Sequence, residues 1–106
     1  MRESQFQSLL IKEIKRRLPG CIVLKNDPTY ILGIPDLTVL YEDKWAFLEC
    51  KQSGNSALQS LQDYYINKAN DMSFGRFVFP ENKQEVLDEL ESALRSDGKA
   101  RFSRRQ

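Results

Sequence analysis

The sequence contains no histidine among its 106 residues, and this absence excludes several kinds of catalytic and metal site. Histidine-metal nucleases, serine or cysteine catalysis with a histidine base, and zinc fingers of the Cys2His2 kind all need an imidazole. Chemistry in this chain must therefore depend on carboxylates, lysine and a metal ion.

Cysteine is scarce, and nucleotide-binding loops are missing. Cys21 and Cys50 fall in separate apolar segments without the spacing of a metal site, so we expect both to be reduced core thiols. The chain has neither a Walker-type Gly-Lys-Ser/Thr loop nor a Gly-x-Gly-x-x-Gly motif. We therefore expect no nucleotide cofactor.

Long apolar runs are also absent. No segment approaches the roughly 18 apolar residues of a membrane span, and the charged N-terminal segment lacks the apolar centre of a signal peptide. With 41% hydrophobic and 10% aromatic residues, 106 residues suffice for one core but not for two. We expect one domain over residues 1–95, a basic tail over residues 96–106, no membrane contact and a cytoplasmic location.

Hydrophobic periodicity predicts the order helix, three strands, helix, strand, helix. Apolar residues recur at helical spacing from Phe6 until Pro19, and residues 21–24 are typical of a short buried strand. A later helix is predicted to run from about residue 56 to residue 70, with Leu61 on its buried side. The order implies an α/β three-layer sandwich with a central mixed β-sheet flanked by helices.

Two acids and a lysine lie at the ends of two consecutive predicted strands. Asp36 follows Pro35 at the start of the first strand, and Glu49 and Lys51 lie at the end of the second. Because strand side chains alternate between faces, Glu49 and Lys51 point to one side and Cys50 to the other. If the strands form a hairpin, Asp36 lies near this pair.

This combination suits phosphodiester hydrolysis, which needs an activated water and stabilisation of charge on the phosphate. A divalent metal ion supplies both. Carboxylates such as Asp36 and Glu49 are typical ligands of Mg2+, for which Mn2+ would substitute. Lys51 would then orient or stabilise the attacking hydroxide. A proline-preceded turn and a solvated strand edge are the alternative interpretation.

The motif resembles that of the PD-(D/E)XK nuclease superfamily, whose restriction-endonuclease-like core has the predicted element order. Here it reads Pro35-Asp36, twelve residues, then Glu49-Cys50-Lys51. The chain is most similar to small stand-alone virus-type nucleases of the VRR-NUC group, which begin with a glutamate on the first helix and carry Gly-x-Pro-Asp. The resemblance covers most of residues 2–80. It implies catalytic roles for Glu3 and Gln62.

Helix geometry separates two glutamates of the first helix. Glu3 projects near the centre of the apolar stripe, whereas Glu13 projects roughly 70° from it. Glu3 is thus the preferred third metal ligand, beside Asp36 and Glu49, and Glu13 is the reserve. A first-turn acid is also favoured by the helix dipole alone. Gln62 borders the buried face of its helix, where it is either a site residue or an ordinary surface glutamine.

A loop before Gly33 enters the predicted site. Asn26, Thr29 and Tyr30 could touch a phosphate or a sugar there, although these residue types are also ordinary turn formers. Gly33 allows a bend or a close backbone approach.

The net charge is only +1, but the basic residues are unevenly distributed. Candidate DNA contacts lie late in the first helix and in the C-terminal tail: Lys12, Lys15, Arg16, Arg17, Arg101, Arg104 and Arg105. Each cluster is alternatively a solvated surface. Acidic residues make the last helix a surface turned away from DNA.

The leading hypothesis is a Mg2+-dependent, structure-selective DNA endonuclease that acts at four-way or other branched junctions. The family resemblance implies a homodimer, which would supply two active sites, and it suggests a viral origin. A nicking, homing or exonucleolytic DNase would use the same centre. A non-catalytic DNA-binding subunit is the alternative from another class.

Overall fold

A computed structural model describes residues 2–52 and 60–95 of the chain. The elements are helices α1 (Glu3–Arg17), α2 (Ser60–Met72) and α3 (Lys83–Arg95), and strands β1 (Ile22–Lys25), β2 (Leu37–Tyr41), β3 (Lys44–Cys50) and β4 (Gly75–Val78). Their order is the predicted one. In these residues, every helix is too short or too polar to cross a membrane.

The four strands form one mixed sheet in the order β1-β2-β3-β4. Strands β1, β2 and β3 pair antiparallel, whereas β4 pairs parallel to β3 after the chain has passed through α2. The ladder continues one residue beyond β3, since the Lys51 N–H donates to the Val78 carbonyl at 2.9 Å. The parallel strands β3 and β4 therefore end together beside Lys51.

The main core lies between one face of this sheet and helices α1 and α3. Alternate β3 residues Ala46, Leu48 and Cys50 are fully buried there. The stripes of the two helices complete the cluster, which includes Phe6, Leu10, Ile14, Leu18, Val86, Leu87, Leu90 and Leu94. The predicted apolar stripe of the first helix is confirmed at Phe6, Leu10, Ile14 and Leu18, whereas Leu9, which was also expected there, is 41% exposed.

Helix α2 covers only part of the opposite face. It contacts β3 and β4, and its Tyr65, Ala69 and Met72 line an apolar groove with Trp45 and Phe47. The fold is thus the predicted α/β sandwich with helices on both faces of a mixed sheet.

Two expectations about burial were wrong. The first strand is not buried: Ile22 is 56% and Leu24 45% exposed, because β1 lies at the sheet edge beyond the reach of α2. Leu61 is 43% exposed, whereas Ile66 and Ala69 are buried. The helix also continues to Met72, and the proposed helix start near residue 56 lies outside the described residues.

Candidate active site

Asp36 and Glu49 hold each other in place where β2 begins and β3 ends. Leu37 pairs with Leu48 in the antiparallel ladder, so the residues just beyond them are neighbours. The Asp36 N–H donates to Glu49 Oε1 at 3.0 Å, and the Cys50 N–H donates to Asp36 Oδ2 at 3.0 Å. Each carboxyl group therefore accepts a backbone hydrogen bond from the other strand.

Lys51 and Gln62 complete this group, which we call the sheet-end cluster (Asp36, Glu49, Lys51 and Gln62). Lys51 Nζ donates to Gln62 Oε1 at 2.7 Å and lies 3.6 Å from Glu49 Oε2. Gln62 Nε2 donates to the same Glu49 oxygen at 2.5 Å. The glutamine from α2 thus links the acid and the base on one face of β3.

Burial makes the cluster electrostatically unusual. Glu49 is only 2% exposed, and this burial, together with the neighbouring Asp36 carboxylate, raises the pKa of Glu49 to about 7. Burial also raises the pKa of Asp36, against the opposing effects of the Cys50 N–H and the Lys51 ammonium. The two acids are therefore costly to ionise together without a further positive charge.

The two glutamates of α1 lie in different environments. Burial and the Asp36 charge raise the pKa of Glu3, which Lys51 lowers, so Glu3 is within electrostatic range of the sheet-end cluster. Glu13 instead pairs with Lys83 at 2.6 Å and accepts from Gln84. The structure therefore brings Glu3 towards the site and directs Glu13 to α3.

The loop before Asp36 is held by its own hydrogen bonds. The Asn26 N–H donates to the Asp36 carbonyl at 2.8 Å, and the Asn26 side chain donates to the Pro35 carbonyl at 2.8 Å. Thr29 donates from its N–H and its hydroxyl to Asp27 Oδ1. Asn26 and Thr29 thus have structural roles in the loop, whereas Tyr30 is 83% exposed.

Gly33 makes a close backbone contact with Leu61, as expected for a glycine at this position. Its φ is +84°, and a side chain there would collide with Leu61 of α2. The loop is consequently packed against the helix that carries Gln62.

Gln7 was not predicted as part of this region. Its side chain lies near the Cys50 thiol and lowers the pKa of that thiol, and Cys50 lies between Glu49 and Lys51 in the sequence. Burial, with Asp36, Glu49 and Glu3, raises the pKa of Cys50 to about 12, so this free thiol stays protonated. The sequence feature that could have predicted this is the position of Gln7 one helical turn after Glu3, which places both side chains on the same face of α1.

The basic residues of α1 divide into two groups. Lys12, Lys15 and Arg16 are exposed, and Lys15 lies roughly 18 Å along the helix from Glu3 at 1.5 Å per residue. Arg17 instead donates to Asp88 at 2.6 Å and to Gln84 at 2.9 Å. These bonds give Arg17 a packing role between α1 and α3. Arg101, Arg104 and Arg105 lie outside the described residues.

The donor set of the sheet-end cluster is small. Within residues 2–52 and 60–95, no group of three or more acidic or cysteine side chains is close enough together to hold a metal ion. A cation at Asp36 and Glu49 would thus have two protein carboxylates as its ligands, with Glu3 contributing charge nearby.

Comparison with known proteins gives one similar structure. No protein-family model matches the sequence, and no curated protein matches it either. A solved structure described as a VRR-NUC domain superposes with a TM-score of 0.62 and 25% sequence identity. The match covers 83% of this chain and 91% of that one.

The architecture is that of a restriction-endonuclease-like α/β domain. More particularly, the chain has a VRR-NUC-like nuclease fold. The likeness suggests a nuclease of that family.

Proposed function

We propose that this protein is a Mg2+-dependent, structure-selective DNA endonuclease that hydrolyses phosphodiester bonds at four-way or branched junctions. The observation that carries the proposal is the sheet-end cluster, in which a buried acid, a partly buried acid, a lysine and a glutamine meet at the ends of β2, β3 and α2. A carboxyl group with a strongly raised pKa next to a lysine is a common property of catalytic sites.

Asp36 and Glu49 are the proposed metal ligands. Carboxylate oxygens suit Mg2+, which takes one or two of them and fills its other positions with water and substrate phosphate. Burial raises the pKa of both acids and so disfavours their charged forms, which a divalent cation would stabilise. When bound, such an ion would activate a water and stabilise charge on the phosphate. Mn2+ is expected to substitute.

Lys51 is proposed to position the nucleophile and to stabilise negative charge on the phosphate. Its ammonium is held by Gln62 Oε1, and its side chain is 12% exposed. A charge that is already held in position in a water-poor site stabilises a transition state more effectively than a mobile charge does. Gln62 is therefore assigned the role of orienting Lys51 and Glu49, and Glu3 that of a further ligand acting through a water molecule.

DNA is the proposed partner, with Lys12, Lys15 and Arg16 and the C-terminal basic residues as phosphate contacts. These residues supply sequence-independent affinity, which fits recognition of nucleic-acid shape. We further propose a homodimer, because a twofold axis would provide two centres for the two strands cut at a junction.

End-labelled DNA cleavage tests the proposal. A four-way junction, a matching duplex and a single strand are incubated with Mg2+ or with EDTA, using wild type and Lys51→Ala. We expect paired nicks near the branch that require Mg2+ and fall at least about a hundredfold in the variant.

Other results would change the assignment in distinct ways. Equal cleavage of all substrates would support a nuclease but contradict junction selectivity, and would favour a nicking, homing or exonucleolytic DNase. Binding without cleavage would indicate a non-catalytic DNA-binding subunit. Cleavage that survives Lys51→Ala would contradict the proposed site.

A further inference from the structure

The loop between β1 and Asp36 has a rigid base and an apolar, solvent-exposed tip. At the base, Asn26 bonds the backbone of both Pro35 and Asp36. At the tip, Tyr30 is 83% and Leu32 74% exposed. The two most exposed large apolar side chains of the described residues therefore project from a loop whose base forms part of the candidate active site.

The backbone of the tip is folded into turns and is not extended. The Tyr30 N–H donates to the Asp27 carbonyl at 3.1 Å, and the Ile34 N–H donates to the Ile31 carbonyl at 3.2 Å. Thr29 is fixed by the Asp27 carboxylate, and Gly33 packs against Leu61. These contacts hold the backbone of Tyr30 at the exposed tip, so little backbone entropy remains to be lost on binding.

The tip also lies close to the expected cleavage position. Tyr30 precedes Asp36 by six residues, so even an extended chain would separate their Cα atoms by no more than roughly 22 Å. The turns within the loop shorten this reach. Successive nucleotides are about 3.4 Å apart along a duplex strand, which places the tip within roughly six nucleotides of a phosphate bound at Asp36 and Glu49.

The local charge favours contact with a base over contact with a phosphate. The Asp27 carboxylate lies in the same loop, and its hydrogen bonds from Thr29 lower its pKa, so it is ionised at neutral pH. A negative charge at this position repels phosphate. Tyr30 and Leu32 instead offer an aromatic face and an apolar wedge, which are the groups that proteins insert against unstacked bases.

We propose that Tyr30, supported by Leu32, stacks on an unstacked nucleobase beside the scissile phosphate and so provides selectivity for branched DNA. This inference rests on the proposed nuclease function and extends it to the recognition of the substrate. In a continuous duplex the bases are stacked and unavailable to the tip. At a branch the continuous stack is interrupted, so the neighbouring base reaches the tip at a lower cost of unstacking and unpairing than a base within a duplex.

The test compares cleavage of branched DNA with cleavage of a fully paired duplex of the same sequence. Wild type, Tyr30→Ala, Tyr30→Trp and Met72→Ala are measured under single-turnover conditions. Met72 is the matched control, because it is 65% exposed and lies at the far end of α2. We expect Tyr30→Ala to lower the branched-to-duplex ratio by roughly five- to a hundredfold. Tyr30→Trp should restore the ratio, and Met72→Ala should leave it at the wild-type value.

A second measurement follows the base directly and does not require cleavage. Branched DNA with a fluorescent adenine analogue at the branch is bound by the Lys51→Ala protein, with and without Tyr30→Ala. Stacking on Tyr30 should quench the analogue, so its fluorescence in the complex should be higher when the ring is removed.

The possible outcomes separate this inference from the proposed function. If wild type cuts DNA but Tyr30→Ala leaves both the ratio and the fluorescence unchanged, the stacking role is overturned. The stacking role is also overturned if Tyr30→Ala slows cleavage of both substrates equally. It is overturned as well if the variant alters only self-association, because the tip would then be a protein contact. If wild type cuts no DNA, the nuclease proposal fails, and the fluorescence measurement still decides whether Tyr30 stacks on a base.

Discussion

Two charged clusters in this molecule have similar contacts and opposite electrostatics. The interhelical cluster joins α1 to α3 through Glu13, Arg17, Lys83, Asp88 and Glu91. There the hydrogen bond from Lys83 lowers the pKa of Glu13, and the hydrogen bond to Asp88 raises the pKa of Arg17. Both shifts favour the charged forms. In the sheet-end cluster, burial raises the pKa of Asp36 and of Glu49, and therefore disfavours the charged forms.

The difference lies in the balance of charges and in exposure. In the interhelical cluster the acids face basic partners in partly hydrated positions, as in an ordinary stabilising ion pair. In the sheet-end cluster the two acids, with Glu3 nearby, share Lys51 as their positive neighbour, and Glu49 is almost completely buried. Such an arrangement costs stability and is typical of sites that bind a cation or perform chemistry.

The largest expected contrast is in catalysis. Glu49→Gln keeps the shape of the side chain but removes the carboxylate charge, and should lower DNA cleavage in Mg2+ at least about a hundredfold. Glu13→Gln makes the same chemical change in the interhelical cluster and should alter cleavage less than about twofold. Single-turnover rates of the two variants beside wild type give the comparison. Comparable losses in both variants would show that the distinction between the clusters is false.

The next contrast concerns stability against pH in protein without metal. The pKa of Glu49 is about 7 in the folded protein and 4.5 when unperturbed. Between these values the folded state binds the extra proton, so raising the pH from about 4.5 to 7 should lower the free energy of unfolding. The effect of this group is on the order of 2–3 kcal/mol. Glu13, whose pKa is lowered, contributes in the opposite sense and loses its stabilisation as the pH falls.

Denaturant unfolding in EDTA across this pH range measures the effect. Glu49→Gln should remove most of the decline, leaving the smaller contributions of the same sign from Asp36 and Glu3. Added Mg2+ should stabilise the wild type above pH 7, since a ligand that binds only the folded state raises its stability. A wild-type protein that gains stability steadily from pH 4.5 to 7 would contradict the burial argument for Glu49.

Sequence patterns were sufficient for the fold because α1 and α3 each bury one continuous stripe. The period from Phe6 to Ile14 matches a helix that lies fully on the sheet. The same reasoning failed for Ile22, which lies on an edge strand that α2 does not contact, and for Leu61, which is exposed near the start of α2. An apolar residue on a strand or helix does not reveal whether the opposite layer reaches it.

The site residues also divide into those that local sequence relations predict and those that depend on contacts between distant parts of the chain. Strand alternation placed Glu49 and Lys51 on one face, and a hairpin placed Asp36 beside them, because these relations are local. Gln7 was missed because its partner, Cys50, is distant in the sequence. The pairing of Arg17 was missed for the same reason: its acidic partner Asp88 is 71 residues away, and only the tertiary packing of α1 on α3 brings them together.

The smallest expected contrast separates Arg17 from its exposed neighbour Lys15. Arg17→Ala removes ion pairs to Asp88 and Glu91, whose side chains are partly exposed, and should cost roughly 0.5–1 kcal/mol of stability, or a few degrees in Tm. DNA affinity should stay unchanged. Lys15→Ala should do the reverse, leaving Tm unaffected and reducing the slope of log K against log salt by about one phosphate contact. Thermal melts and salt-dependent binding of the two variants decide the matter. If Arg17→Ala weakens DNA binding as much as Lys15→Ala does, the guanidinium leaves its acidic partners to bind phosphate, and the interhelical cluster belongs to the DNA-binding surface.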